Sequence, residues 1–473
     1  MKIMELTVRE AEAVRARADE LRREIDAAED PVRSGPAVYL SADGDDGCDG
    51  RTPDTAWKTF DRLKKASIAP GTSVLFRRGD IWRGSVEAQA GVTYGAYGSG
   101  EKPQLYGSPF DGAKTGSWTE VCPHVWRYSE KMEDDCGGIV FDGGPLHGRK
   151  VTVSTDGPAP VDTVTREPFR GYFDLTGDLS FWHDLGKDAI RREGGGTLYL
   201  RSETGNPAER FGEIEFMPRV HGISVHCDNV TVDNLCLMYY GAHGIAAGTV
   251  NGLHVTNTVL GWIGGGLQYV RNGRPVRFGN GVEIYGGCRD YRVERCHVFQ
   301  CYDAGLTFQY SSGGGEDILM DGVTFRDCLI EDCSYSVEYF LGKADRGDAD
   351  RQMKNILISG CVMRGAGRGW GVQRPDRLTP AHLKAWDHFN RRTGEFVVED
   401  NIFDRSRHML LHVAAEREEW LPLLRNNLFV QYPGADLGRI GPIPTAMLPY
   451  AEDAVPERLA KNNAFRSVNT ENG

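Results

Sequence analysis

Val293-Glu294-Arg295-Cys296, Phe325-Arg326-Asp327-Cys328 and Ile358-Ser359-Gly360-Cys361 are three copies of one short pattern. Val232-Asp233-Asn234-Leu235, Val398-Glu399-Asp400-Asn401 and Leu424-Arg425-Asn426-Asn427 fall into the same alignment. Each segment is followed closely by another apolar residue. The fourth position reads Leu, Cys, Cys, Cys, Asn, Asn. A small or amide side chain recurring at one register predicts a ladder, with each rung stacked on the next coil. In a parallel β-helix such positions lie about 4.8 Å apart along the axis. Acids far apart in sequence can then share one cleft.

The rest of the composition suits this architecture. The chain has 473 residues, 40% of them hydrophobic, with 59 Gly and 22 Pro for the turns between short strands. A net charge of −12 argues against a nucleic-acid groove as the main business. Residues 1–14 contain no apolar signal core, and no apolar run approaches the length of a membrane span. The expectation is a cytoplasmic protein that engages neither membrane nor nucleic acid. The 11 Cys have no framework spacing and no CxxC pair. At least three fall on the ladder, so buried free thiols are expected rather than disulfides or structural zinc.

The fold class expected is all-β: a right-handed parallel β-helix with an inserted antiparallel β subdomain and an N-terminal α-helix. Within residues 1–36, Thr7 and Glu10 predict a capping box, and Leu6 with Ala11 a hydrophobic staple. Ala11, Val14, Ala18, Leu21, Ile25 and Ala28 form an apolar stripe. That stripe either lies on its own chain or makes a homo-oligomer contact. Residues 37–105 read as the first coils, with a strand at Val38-Tyr39-Leu40. An amphipathic helix from Thr55 to Ala66 carries Trp57, Phe60 and Leu63 and would cover the open end. The loop from Asp43 to Gly50 reads as a turn rather than a calcium loop, because the twelfth position is Asp54 and Gly is misplaced. Residues 106–215, with Trp118, Trp126, Phe181-Trp182 and Leu198-Tyr199-Leu200, read as a β-sandwich-like insertion.

The main β-helix then spans 216–433, with coil starts at Ile223, Ile245, Leu267, Val282, Leu306 and Val337. Residues 271–280 read as a hairpin, 311–317 and 342–352 as loops, and 374–394 as a long, partly helical excursion. All are expected on one side of the coils, walling a cleft. Residues 434–473 read as a covering tail.

The chemistry concentrates in three aligned coil starts: Val282-Glu283-Ile284-Tyr285, Leu306-Thr307-Phe308-Gln309 and Val337-Glu338-Tyr339-Phe340. Strand side chains alternate between faces, so Glu283, Thr307 and Glu338 point outward together. The two glutamates lie two rungs apart, roughly 10 Å between backbones. Asp303 sits at the corner before the middle rung. Three converging carboxyls push their pKa values apart, and one stays protonated near neutrality. Glycoside cleavage requires that arrangement: an acid for the leaving oxygen and a carboxylate for the anomeric carbon or its water. The alternatives are ordinary solubilising acids, or a calcium cluster as in a lyase.

Around them, Tyr285, Phe308, Tyr310, Tyr339 and Trp370 could stack on pyranose faces. Tyr310 is expected to be exposed, while Phe308 and Tyr339 could equally be core. Thr307 shares the outward register. Gln268, Gln309, Gln373 and Arg374 could hydrogen-bond sugar hydroxyls. His243, His408 and His412 are subsite candidates. No cofactor or metal is required.

Several stretches carry a resemblance. Val38-Tyr39-Leu40-Ser41, Gly79-Asp80-Ile81-Trp82-Arg83-Gly84 and Gly91-Val92-Thr93-Tyr94-Gly95-Ala96-Tyr97-Gly98 resemble the first coils of carbohydrate enzymes in the pectate-lyase-like superfamily. Gly279-Asn280-Gly281-Val282-Glu283, Tyr302-Asp303-Ala304-Gly305 and Ser336-Val337-Glu338-Tyr339 resemble the β-xylosidase family 120 of glycoside hydrolases, and more distantly family 141. The resemblance covers residues 37–430; the N-terminal helix lies outside it. It implies Asp303 as nucleophile, Glu338 as general acid/base and Glu283 as a supporting carboxylate. The expected activity is retaining, exo-acting hydrolysis of an oligosaccharide such as a β-xyloside. A uronate-directed lyase using Lys343, Arg346 or Arg374, and a non-catalytic glycan-binding solenoid, are the competing expectations.

Overall fold

The computed structural model describes residues 3–31, 35–345, 349–374, 379–385 and 389–468. Three long parallel sheets run side by side, and each coil contributes one strand to each. A central coil passes through Cys288–Glu294, His297–Cys301 and Ala304–Tyr310; the next through Ile318–Arg326, Leu329–Glu331 and Tyr335–Leu341. The aligned apolar positions pair in parallel register from Val232 through Val255, Val293, Phe325, Ile358 and Val398 to Leu424. This is a parallel β-helix. Val255 is a rung absent from the six aligned segments.

The corner after each of these strands shows why the pattern repeats. Its third residue holds a left-handed backbone: Asn234, Asn257, Arg295, Asp327, Gly360, Asp400 and Asn426 all have φ between 48° and 68°. Asn, Asp and Gly tolerate that region best; Arg295 is the exception. The fourth residue then turns inward. Cys296, Cys328 and Cys361 are buried free thiols. Asn401 and Asn427 carry the ladder on by bonding buried backbone. Asn401 Oδ1 accepts from Cys361 N–H at 2.9 Å, and Asn427 Oδ1 from Asn401 N–H at 3.0 Å. Their amides donate to Ile358 and Val398 carbonyls, each at 2.9 Å. Asn463 adds a further rung that the alignment does not contain.

The N-terminal helix spans Val8–Asp26 and opens on the Thr7/Glu10 capping box. Its face Ala18, Leu21 and Ile25 is buried against Leu329 and Val362 of the body. The stripe offered as an oligomer seam is therefore occupied by its own chain. Just before the helix, Met4–Glu5 pairs with the last coil through Arg466 and Ser467. Just after it, Asp30 bonds Arg78 of the first coils at 2.9 Å. The segment straps one end of the solenoid to the other.

At the first coils the helix is shorter than its periodicity predicts. It spans only Phe60–Lys65, preceded by a 3-10 turn at Pro53–Thr55. Asp46 explains the break: it accepts from the N–H groups of Lys58 and Thr59 and from the Thr59 hydroxyl, which fixes Thr59 as the cap. Trp57, Leu63 and Ile68 still close the core beside Leu40 and Phe76. The acidic loop is occupied by such turn bonds.

Between Tyr106 and Ile223 the chain leaves the solenoid and forms antiparallel sheets around Phe141, Phe181, Leu198, Ile214 and Phe216. Two further expectations need correction. Leu267 starts no coil: Ile245 pairs directly with Val282, and Leu267–Arg271 forms an antiparallel hairpin with Arg274–Arg277. The tail after 433 is not merely a cover, because Asp436–Pro442 and Ala464–Ser467 extend two of the parallel sheets.

The excursions do not all leave one side. The insertion, the hairpin at 264–281 and the segment at 367–374 leave before the sheet that contains Ala304–Tyr310. Loops 311–317 and 342–345 leave after it. They therefore build two facing walls over that sheet.

Candidate active site

The sheet between the walls carries one outward column. Register runs Ser224, Ala246, Glu283 on one side and Thr307, Glu338, Lys384, His412, Arg439 on the other, joined by the Val282–Leu306 pair. The alternation places Val282, Leu306 and Val337 in the core. Glu283, Thr307 and Glu338 thus share a register, as predicted. Asp303 occupies the corner one coil from each glutamate; its N–H donates to Gly279 O, and its carbonyl accepts from Tyr335 N–H.

Glu283, Asp303 and Glu338 line a single cavity of about 780 Å³ together with Gln309 and Arg374. All three are buried, at 8%, 7% and 4% exposure, yet their surroundings differ. Glu283 sits among neutral groups. It accepts from the Asn280 amide and from Gln309 Nε2 at 3.3 Å, with His243 Nδ1 3.2 Å away. Burial pushes its carboxyl up to about 8; the Asn280 bond opposes this and the Asp303 charge adds to it. Asp303 instead forms an ion pair through Oδ1 with Arg374. Its Oδ2 makes no hydrogen bond among the described residues. Glu338 is raised above the usual carboxylate range by burial and by Asp303, while Lys384, 3.3 Å away, pulls it down.

The far end of the cavity is closed by imidazoles. His243 stacks on His221 with ring centroids 5.2 Å apart. Burial lowers His243 to about 4 and His221 to about 3, so both are neutral at physiological pH. His243 Nδ1 accepts from Asn280 N–H at 3.0 Å, so His243 positions the residue that holds Glu283.

The other candidates divide. Tyr285, 40% exposed, and Gln268 line the cavity. Gln268 also donates to the carbonyls of Gly266 and Phe278, bracing the hairpin. Thr307 is wholly buried between the glutamate rungs. His412 is buried two rungs beyond Glu338, and neither it nor His408 reaches the cavity lining.

Tyr310 is a correction. Strand alternation with Thr307 and Gln309 facing out sends it inward, where it joins the core and bonds Glu316. Phe308 and Tyr339 are core too, stacked at 5.5 Å. Trp370 is also not a sugar platform. It is 1% exposed, docks against Tyr302, Met217 and Trp262, and donates Nε1–H to Gln300 O at 2.7 Å. Gln373 bonds Lys150 N–H and Gly148 O of the insertion, both at 3.1 Å. The two residues clamp the insertion to the solenoid, and Arg374 follows directly on that clamp. The insertion therefore helps aim the guanidinium at Asp303.

Lys384, 3.3 Å from Glu338, is the candidate site residue that sequence reading missed. It lies in the strand Ala381–Ala385, within the segment expected to be partly helical. The available signal was the alternation of Ala381, Leu383 and Ala385 around His382 and Lys384. Tyr269, Phe278 and Phe340 also line the cavity without having been singled out. Of the proposed lyase cations, Arg346 lies outside the described residues. Lys343 is exposed near Glu416, 3.7 Å away. Among the described residues no group of His, Cys, Asp and Glu is arranged to hold a metal, and no helix is long and apolar enough to cross a membrane.

No family model matches the chain, and no curated protein matches it. Among solved structures, the complex of XylC with xylose is similar at 12% identity, over 91% of this chain and 82% of that one, with a TM-score of 0.42. The GH136 lacto-N-biosidase from Eubacterium ramulus is similar at 14% identity, over 85% and 64% of the two chains, with a TM-score of 0.39. Pectate lyase Pel9A gives 10%, 92%, 77% and 0.44 in the same order.

Proposed function

We propose that this protein is a retaining glycoside hydrolase acting in the cavity of Glu283, Asp303 and Glu338. The observation that carries the reading is the division of three buried carboxyls into unlike states: one ion-paired with Arg374, one among neutral partners, and one raised but tempered by Lys384. Asp303 Oδ2 attacks the anomeric carbon as the glycosidic C–O bond breaks, and Glu338 gives its proton to the leaving oxygen. In the second step Glu338 takes a proton from water, and that water displaces Asp303 from the sugar. Asp303 and Glu338 lie on consecutive coils and line the same cavity, near enough that the Asp303 charge raises Glu338, and paired carboxyls facing one space are what a retaining glycosidase uses. Glu283, protonated at neutral pH, donates to a glycone hydroxyl. The facing walls favour a pocket, hence exo action, and a neutral glycone such as xylose suits the charge-compensated lining.

The test is mass spectrometry of products from xylo-, arabino-, fuco- and uronate-containing oligosaccharides. Products with one added water and a released monosaccharide are expected. Asp303→Asn should abolish turnover; substantial residual activity would sink the nucleophile assignment. Glu338→Gln should spare substrates with good leaving groups in the first step. Lys384 and Arg374 within the acid cluster favour one rival, a lyase that uses a basic side chain on a uronate. Unsaturated products lacking added water would establish that rival instead.

A further inference from the structure

A second cavity, of about 510 Å³, lies within the insertion. That volume falls within the roughly 300–1,000 Å³ usual for small-ligand sites. Its floor is the buried ion pair Lys150–Asp135, in which Lys150 Nζ also donates to Cys136 O at 2.6 Å. Asp135 accepts from Leu267 N–H at 2.7 Å as well, so the floor is joined to the hairpin. One wall presents Trp182 and Phe169, packed edge to face at 5.4 Å. His183 lies beside them, 5% exposed. Its Nδ1 accepts from Cys136 N–H at 3.1 Å, and burial keeps the ring neutral. The remaining proton is therefore on Nε2, which has no acceptor among the described residues.

The opposite wall is the hairpin of Leu267–Arg271 and Arg274–Arg277. Leu267, Val270 and Pro275 line this second cavity, whereas Gln268, Tyr269 and Val276 line the acid cavity. Two spaces thus share one two-stranded partition.

We infer that the second cavity binds a neutral saccharide unit, with Trp182 and Phe169 against its apolar face. The ligand class rests on the hydrolase reading; the site itself does not. A charged ligand is disfavoured because the buried lysine and aspartate already neutralise each other, His183 is uncharged, and the charges at the mouth, Arg170, Asp184, Lys187 and Asp188, are mixed in sign. Aromatic surface with a few fixed polar groups is the usual composition of such a site.

The test is calorimetric titration of Asp303→Asn protein with neutral xylo- and arabino-oligosaccharides and with a uronate oligosaccharide. Two neutral saccharides per chain are expected. Ala159→Trp, on an exposed loop lining the second cavity, should reduce this to one, and Trp182→Ala should weaken the same event at least tenfold. Arg374→Ala should affect only the other event. One event, unchanged in Ala159→Trp, overturns the second site, as does the absence of any binding there. Stronger binding there by the uronate than by the neutral sugars overturns the ligand class. One event lost in Ala159→Trp but kept in Arg374→Ala would uphold the second site while removing support for the hydrolase reading.

Discussion

Glu283 and Glu338 are both raised carboxyls, yet substitution should separate them. For Glu283 the folded-state value of about 8 stands above the ordinary 4.5. The folded protein therefore holds that proton more tightly than the unfolded chain. The resulting stability is complete below about 4.5 and is lost as pH rises through about 8. Glu283→Gln keeps a neutral hydrogen-bonding group, so it should flatten the fall in Tm across that interval. It should also cost less than about tenfold in kcat/KM at neutral pH. Lys384 acts on Glu338 through charge. Lys384→Met should move the alkaline limb of the kcat profile to higher pH, because Glu338 then holds its proton longer. A purely packing role would lower Tm and leave the limb in place. The acids were legible because strand alternation and one corner fix their direction. Lys384 was not, because a five-residue strand between two excursions has too few alternations to stand out. Trp370 and Gln373 were misread for another reason: their residue types suit sugar and interior contacts equally, and only the docked insertion decides between them. Tyr310 was misread although the same alternation that turns Thr307 and Gln309 outward sends it into the core.

Among the elements, the amide ladder has the clearest energetic consequence. Asn427 satisfies the buried N–H of Asn401 and the carbonyl of Val398 at once. Asn427→Ala strands both, at about 1–3 kcal/mol for each unpaired group. A loss of about 2–6 kcal/mol in denaturant titration is expected, with less for Cys328→Ala, whose thiol makes weak contacts to the carbonyls of Val293 and Arg326. The sheets were readable because their apolar register repeats. The Thr55–Ala66 helix was overextended because its apolar face continues through Trp57, while Asp46, far enough upstream to escape a local pattern, sets the true cap. Leu267 fell at an interval that matched a coil but belongs to the partition hairpin, where its N–H bonds Asp135.

The whole molecule couples an antiparallel insertion to a parallel solenoid through Trp370 and Gln373, with Arg374 next in line. Trp370→Ala should leave the far-UV signature of the β-helix intact yet reduce kcat/KM by about 100-fold, the scale expected when a catalytic group is misplaced by an ångström. Unchanged kinetics with a loosened insertion would show that Arg374 is fixed by other means. The strap formed by residues 4–30 has a consequence of its own. A linear array of coils can fray from either end, since each unit touches only its neighbours. Here Met4–Glu5 is hydrogen-bonded to the final coil, and Asp30 is ion-paired with an early one. Fraying at either terminus must therefore release the same helix. That linkage turns two independent unzipping points into one shared event and makes a repetitive polymer melt like a closed unit.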